Sequence, residues 1–218
     1  MRVALLSGGK DSLYAASRHW PPDVGLVLVY RFPEPSPHLA NLGASIETLT
    51  LTGVPVVVAR LPPGGGFEET VRVLRLLGAT ELVAGDVFVE DHLRYMERVA
   101  GEAGAKLREP LWGMDTLELL YKIVEYGIES LVIGVRGLPR SLLGLRLSRA
   151  TVDLVAEEAR RLGADPLGEN GEYHTLVLDS PLHSRPLRVR TTRALRVGET
   201  DLLIVTPDPR GLTGAPRV

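Results

Sequence analysis

Two short strings hold most of the side chains in this sequence that can do chemistry: Ser7-Gly8-Gly9-Lys10-Asp11-Ser12 near the start, and Gly168-Glu169-Asn170-Gly171-Glu172-Tyr173-His174-Thr175 about 160 residues later. In the first, two glycines let the main chain approach an anion closely, Lys10 supplies a point charge, and Ser7 and Ser12 add hydroxyls. A helix starting there would turn its unpaired first N–H groups toward the same anion. Asp11 repels a phosphate unless a cation intervenes. Mg²⁺, usually held by one or two carboxylates plus phosphate oxygens, is the natural candidate. The spacing is not the Walker pattern, which needs four residues between its first glycine and Gly-Lys. Lys10 reads as a surface turn lysine, whose loss should abolish activity at little cost in stability. The plain alternative is a strand–turn–helix junction capped by Asp11 or Ser12.

In the second string Glu169 and Glu172 flank Asn170-Gly171, a turn pair that tolerates positive φ. Tyr173 and His174 follow at the entry to a strand. Two carboxylates, an amide, a phenol and an imidazole in one turn can orient a nucleophile, bind a cation or move a proton. Against this stand a solvated polar turn and, for His174, a packed strand residue.

The elements that must position these groups can be read from periodicity. Apolar runs at Val3–Leu6, Val24–Tyr30, Val54–Arg60 and Glu81–Ala84 alternate with helical patterns at Asp11–Arg18, Leu39–Leu51 and Phe67–Leu77. Alternation of this kind implies right-handed crossovers and an α/β fold with a doubly wound, mostly parallel sheet. Ligands of such sheets gather at the carboxyl ends of the strands, where Ser7–Ser12, Tyr30–His38 and Gly85-Asp86 all fall. Further helices are expected at Glu90–Ala103, Leu117–Tyr126 (with Asp115 as N-cap) and Arg149–Leu162. Ser130–Val135 reads as a buried strand, Gly137–Leu147 as a loop, and Tyr173–Leu178, Leu187–Ala194 and Asp201–Thr206 as strands. The expected organisation is a domain at 1–104 carrying the first string, a smaller α+β lobe at 105–206 carrying the second, and a disordered Pro/Gly-rich tail at 207–218.

Composition is ordinary for a soluble globular protein, with 44% hydrophobic and 24% charged residues. No apolar run approaches the roughly 20 residues that span a bilayer. Met1-Arg2-Val3 leads straight into a core strand, so neither a membrane partner nor a signal peptide is expected, and the location is read as cytoplasmic. A net charge of −2 makes nucleic acid an unlikely partner, although arginines concentrate around 136–149 and 185–196. Cysteine is absent, which removes disulfides, thiolate metal sites and thiol nucleophiles. Glutamine is also absent and asparagine occurs only at Asn41 and Asn170, a depletion of thermolabile residues expected of a thermophilic source. Whether the chain forms a homo-oligomer is left open.

Ser7–Ser12 resembles the PP-loop of ATP pyrophosphatases, and its pairing with Gly168–Thr175 resembles the diphthine–ammonia ligase family of that superfamily. Other matches occur in order. His38-Leu39-Ala40-Asn41 is similar to the family's His-x-x-Asn segment, Gly85-Asp86 to its turn after the fourth strand, Pro110-Leu111-Trp112 to its Pro-Leu-Trp, and Asp179-Ser180-Pro181-Leu182 to its Asp-x-Pro. The likeness runs from about residue 1 to 183. Departures are Val89-Glu90-Asp91-His92, where relatives often carry Tyr-Gln, and Leu167, where a cysteine often stands.

The resemblance implies nucleotide binding for the domain at 1–104 and the acceptor substrate for the lobe at 105–206. It also implies ATP and Mg²⁺ as cofactors, elongation factor 2 as protein substrate and ammonium as nitrogen donor. A carboxylate would be adenylated with loss of pyrophosphate, and ammonia would then displace AMP. Gly8, Gly9 and Lys10 would stabilise the leaving pyrophosphate, Ser7 and Ser12 would bond phosphate oxygens, and Asp11 would recruit the metal directly or through water. Tyr30 would flank adenine. His38 would cap a helix or reach the nucleotide, and Asp86 would receive a ribose or substrate group or simply form a turn. Glu169, Asn170 and Glu172, with Gly171, Tyr173 and His174 around them, would hold the acceptor, the ammonium or both, a carboxylate serving as base. Without cysteine the chain cannot by itself transfer sulfur as a persulfide or release ammonia from glutamine. A PP-loop enzyme for another small-molecule or RNA acceptor and a non-catalytic nucleotide-binding module are the competing readings.

Overall fold

The computed structural model describes residues 1–30 and 36–208. Residues 31–35, inside the Tyr30–His38 segment, and 209–218, most of the expected tail, lie outside the described residues. The chain divides into two units, the first made of residues 1–7, 11–33 and 54–114, the second of 8–10, 34–53 and 115–218.

The first unit is built on five parallel strands, β1 (Arg2–Leu5), β2 (Val24–Val29), β3 (Val56–Arg60), β4 (Glu81–Val83) and β5 (Lys106–Arg108), in the order β3-β2-β1-β4-β5. The chain moves outward from β1 to β3, then returns past β1 to β4 and β5. The sheet is therefore wound in both directions, with the switch between β1 and β4, as the alternating pattern requires. Helix α1 (Lys10–Ser17) follows β1, and α4 (Gly66–Leu76) and α5 (Glu90–Ala103) follow β3 and β4. Val3, Leu26 and Leu82 are fully buried in the sheet and pack with Val71 and Leu74 of α4 and Met96 and Val99 of α5. Glu81 on β4 receives Arg2 from β1 and, at 3.1 Å, Arg108 from β5. The hydrogen bond from Arg2, with help from Arg108, holds its carboxyl below the usual range against the opposing effect of burial.

The boundary expected near residue 104 is displaced by β5. Lys106–Arg108 is too short and too polar to show a strand period, yet it pairs with β4 and keeps the first unit running to residue 114.

The second unit is an antiparallel sheet with helices, and it takes in more of the chain than the expected 105–206 lobe. Its central strand β6 (Glu129–Val135) pairs along one edge with β8 (Tyr173–Asp179). The other edge is shared by β7 (Arg146–Leu147) and β10 (Thr200–Pro207), and β9 (Val189–Val197) pairs with β10. Gly198, at φ 60, opens the two-residue turn of that hairpin. Leu131, Ile133, Leu176, Leu178, Leu203 and Val205 form the core with Ala44 and Leu51, while in sequence α6 (Thr116–Tyr126) precedes β6 and α7 (Val152–Leu162) lies between β7 and β8. Strand β7 lies within the expected 137–147 loop. Pro207 ends β10 instead of starting a tail, and the Asp208 N–H donates to the Arg188 carbonyl.

Where one helix was expected at Leu39–Leu51 there are two, α2 (Pro37–Ala40) and α3 (Leu42–Thr50), parted at Asn41. The Asn41 amide donates to the Pro37 and Leu203 carbonyls and accepts from the Val205 N–H, each at 2.9 Å. Its side chain thus acts as a rung on β10. Gly134 of β6 admits α2 at close range, since a Cβ there would lie 2.4 Å from Pro37 Cγ. The arginines of 185–196 fall on and beside the edge strand β9, where Arg190 and Arg196 face Asp208 and Asp201 at 3.9 and 3.7 Å.

Candidate functional site

Sharp turns at both ends of the second unit's site follow from glycine. Gly8 (φ 85), Gly168 (φ 85) and Gly171 (φ 84) all occupy backbone conformations that side chains resist. At Gly8 space is short as well, because a Cβ would meet Ser45 Cβ at 3.0 Å. Helix α1 begins at Lys10, so neither Asp11 nor Ser12 is its N-cap, and the first N–H groups of the helix come directly out of the glycine turn.

Within the second unit Gly8–Lys10 are tied to the segment carrying the second string. The Val177 N–H donates to the Gly8 carbonyl at 2.9 Å, and the Lys10 N–H donates to Thr175 Oγ1 at 3.1 Å. The Lys10 ammonium donates to the Leu167 carbonyl at 2.7 Å and stands 4.6 Å from the centre of the Tyr173 ring. Lys10 is 1% exposed, so the expectation of a surface lysine is corrected: its stem crosses packed protein to reach that carbonyl. Tyr173 is buried too, and its hydroxyl donates to the Pro166 carbonyl at 2.9 Å.

The glutamate-rich turn folds on itself. Glu172 Oε1 accepts from the Asp165 N–H at 3.0 Å and from the Asn170 amide at 3.2 Å. Its Oε2 is buried without a hydrogen-bond partner among the described residues. The Glu169 N–H donates to Asp165 Oδ2 at 2.7 Å. Arg136, just after β6, donates from its main chain to the Glu172 carbonyl at 2.7 Å and from its guanidinium to the Asn170 carbonyl at 2.9 Å. A Cβ on Gly171 would strike that guanidinium at 2.9 Å, so arginine and glycine are matched. In the sequence Arg136 stands out only as the first of the arginines concentrated around 136–149, not as part of the site.

His174 packs edge-on against His38, ring centres 5.6 Å apart at 85°. Desolvation lowers its pKa to about 4, reinforced by Lys10 and Arg136 and opposed by Glu172, so the imidazole is neutral at physiological pH. His38 does not cap α2; Ser36 does, accepting from the Leu39 N–H. Ser45 Oγ, buried beside Gly8 and without a partner among the described residues, is a second group the sequence did not reveal.

In the first unit Ser7 and Ser12 approach hydroxyl to hydroxyl at 3.2 Å, and the Ser7 N–H donates to Ser12 Oγ. Gly85 lies against the start of α1, where its Cβ would meet Asp11 and Ala15. The Asp86 N–H donates to Glu109, and its carboxylate faces His92 Nδ1 at 3.4 Å. Tyr30 keeps 39% of its surface exposed, yet partial desolvation, then Tyr95 and Asp86, raise its pKa.

Residues 115–203 match the family described as diphthamide synthase C-terminal domain. The diphthine–ammonia ligase of Rattus norvegicus is 28% identical over 228 residues, covering 89% of this chain and 85% of that protein. The Homo sapiens diphthine–ammonia ligase is 27% identical over 139 residues, 61% of this chain and 52% of that one. The Schizosaccharomyces pombe protein of the same name is 36% identical over 92 residues, 41% of this chain and 15% of that one. A solved structure, a predicted subunit of tRNA methyltransferase from Methanocaldococcus jannaschii, aligns with a TM-score of 0.41 and 14% identity over 83% of this chain and 97% of its own. Similarity to diphthine–ammonia ligases thus runs along most of the chain, with the diphthamide synthase C-terminal domain matched at 115–203.

Proposed function

We propose that this protein is an ATP-dependent ligase that converts the carboxylate of diphthine on elongation factor 2 to the amide, with ammonium as nitrogen donor and AMP and pyrophosphate as products. The observation that carries this is the hydrogen bonding of Gly8–Lys10 to Leu167, Thr175 and Val177, which joins the anion-binding turn to the carboxylate-bearing one.

ATP would lie on the glycine turn, its phosphates meeting the N–H groups of Gly8, Gly9 and the first turn of α1. Lys10 would exchange the Leu167 carbonyl for a phosphate oxygen. Ser7 and Ser12 would add hydroxyl contacts, and Tyr30, His38 and Asp86 are assigned to the nucleoside and substrate ends. Among the described residues no three His, Cys, Asp or Glu side chains gather as a metal site. Mg²⁺ at Asp11 would therefore complete its shell with phosphate oxygens and water, which suits that ion.

Glu172 Oε2, bare and buried, is the oxygen best suited to accept an N–H of ammonium and then its proton, with Glu169 and Asn170 alongside. His174, with a pKa of about 4, is a poor proton store and acts instead as a neutral hydrogen-bonding wall. A translation factor as substrate would place the enzyme in the cytoplasm. The decisive assay supplies diphthine-bearing elongation factor 2, ATP and ammonium and measures diphthamide and AMP. Folded protein that yields neither refutes the assignment.

A second reading, a PP-loop ligase for a different acceptor, is favoured by His92, which lies beside Asp86 in place of the relatives' Tyr-Gln stretch. Acceptor-dependent pyrophosphate exchange would separate the two.

A further inference from the structure

Asp179-Ser180-Pro181-Leu182, downstream of the glutamate-rich turn, plays no part in the chemistry above. It does introduce His183, the centre of a buried hydrogen-bonded chain. Thr48, Ser180 and His183 are 0%, 2% and 4% exposed. Ser180 Oγ and His183 Nδ1 are 2.6 Å apart, His183 Nε2 and Thr48 Oγ1 2.9 Å, and Thr48 Oγ1 donates to the Val177 carbonyl at 2.6 Å.

Donor and acceptor roles along this chain follow from its last link. A carbonyl only accepts, so the Thr48 proton is spent on Val177, and Thr48 must accept from His183. His183 therefore carries its proton on Nε2, and its Nδ1 accepts from Ser180. Ser180 Oγ in turn accepts from the Leu182 N–H at 3.2 Å. Each group has its partner, as buried polar groups require. The loop is also pinned to the end of α3, where the Ser184 N–H and hydroxyl donate to the Leu51 carbonyl at 2.9 and 3.0 Å.

Val177 is where this chain meets the site. Its carbonyl takes the Thr48 hydroxyl, and its N–H holds the Gly8 carbonyl at 2.9 Å. We propose that His183 is a positioning residue for the glycine turn: through Thr48 it fixes the Val177 carbonyl, and with it the main chain of Val177, whose N–H on the preceding peptide fixes the orientation of Gly8. This rests on reading Gly8–Lys10 as the nucleotide turn. A purely apolar trio would fill the same volume with no buried polar group to satisfy. It would set no peptide orientation.

The test compares Thr48→Val, which keeps volume and removes the hydroxyl, with Thr48→Ser, which keeps the hydroxyl. A second pair is His183→Asn, too short to donate to Thr48, and His183→Gln, which reaches it. Amide hydrogen exchange over residues 7–12 in nucleotide-free protein should speed up about tenfold in Thr48→Val and His183→Asn and stay near the parent in Thr48→Ser and His183→Gln, the scale of one lost hydrogen bond. Affinity for α,β-methylene-ATP should weaken by about the same factor in the same two variants. Unchanged exchange at 7–12 in a Thr48→Val protein that merely melts earlier would overturn the positioning role. An intact exchange difference in a parent protein that fails to bind α,β-methylene-ATP would support the positioning role and refute the nucleotide reading instead.

Discussion

The ammonium of Lys10 donates to the main-chain carbonyl of Leu167 at 2.7 Å, so a side chain from the tenth residue terminates immediately before the glutamate-rich turn. The Tyr173 ring below it, at 4.6 Å, adds a cation–π contact. One lysine thus serves the architecture of the second unit as well as the role proposed for it at the glycine turn.

Lys10→Ala should therefore lose both turnover and stability. The variant leaves a cavity along the stem and an unmet Leu167 carbonyl, a cost of about 2–4 kcal/mol. Lys10→Met, which keeps the apolar stem, should recover part of the stability and none of the AMP formation. Thermal melts and single-turnover assays of the two variants check this. Equal stability of Lys10→Ala and parent would contradict it.

Glu172→Gln should fold like the parent, because the amide oxygen can still accept from Asp165 and Asn170. The loss falls on the bare Oε2 position. KM for ammonium should rise about tenfold, the scale of one charge-assisted hydrogen bond, while KM for ATP changes little. A rise confined to ATP would move Glu172 to the nucleotide end.

Acid should destabilise the protein through His174. Its folded pKa, about 4, lies below the unfolded value of 6.5. Above 6.5 both states are neutral and nothing is at stake. As pH falls from 6.5 toward 4 the unfolded chain takes up a proton that the native imidazole refuses, so stability is lost over that window, at most about 1.4 kcal/mol per pH unit. Glu81, with its lowered pKa, acts in the same direction at more acid pH. Urea unfolding at pH 7, 5.5 and 4.5 should show a smaller decline in His174→Asn than in the parent.

Gly134→Ala should cost about 1–3 kcal/mol by overpacking, since the new methyl meets Pro37 Cγ at 2.4 Å and Cβ at 2.9 Å. The shift should show as a lower urea midpoint with an unchanged slope. A neutral result would mean that α2 moves freely over β6.

Much of the scaffold was legible because its strands are apolar in runs and its helices periodic. Val3, Leu26 and Leu82 announce the parallel sheet, and Gly8 and Gly171 announce the turns. What escaped is what periodicity does not encode. Lys106–Arg108 pairs by main chain alone and leaves no alternating pattern, so the first unit's end was placed too early. Asn41 reads as an ordinary helical residue until its amide is seen bridging to Leu203 and Val205. Arg136 and Ser45 matter through long-range neighbours, and Lys10 looks exposed in any local view. The chemistry-bearing types were visible one by one and the two strings were paired by resemblance; the contact that joins them across 157 residues, Lys10 with Leu167, was not visible.

The segment 34–53, threaded between β2 and β3, belongs to the second unit, and it contributes Asn41, Ser45 and Thr48. Residues 115–203, which carry the family domain, are thus not a self-sufficient piece of polypeptide. Cut out, they would expose the Leu203 carbonyl and His183 where Asn41 and Thr48 now sit. Truncations, fusions or permutations at the 114–115 junction should give insoluble product.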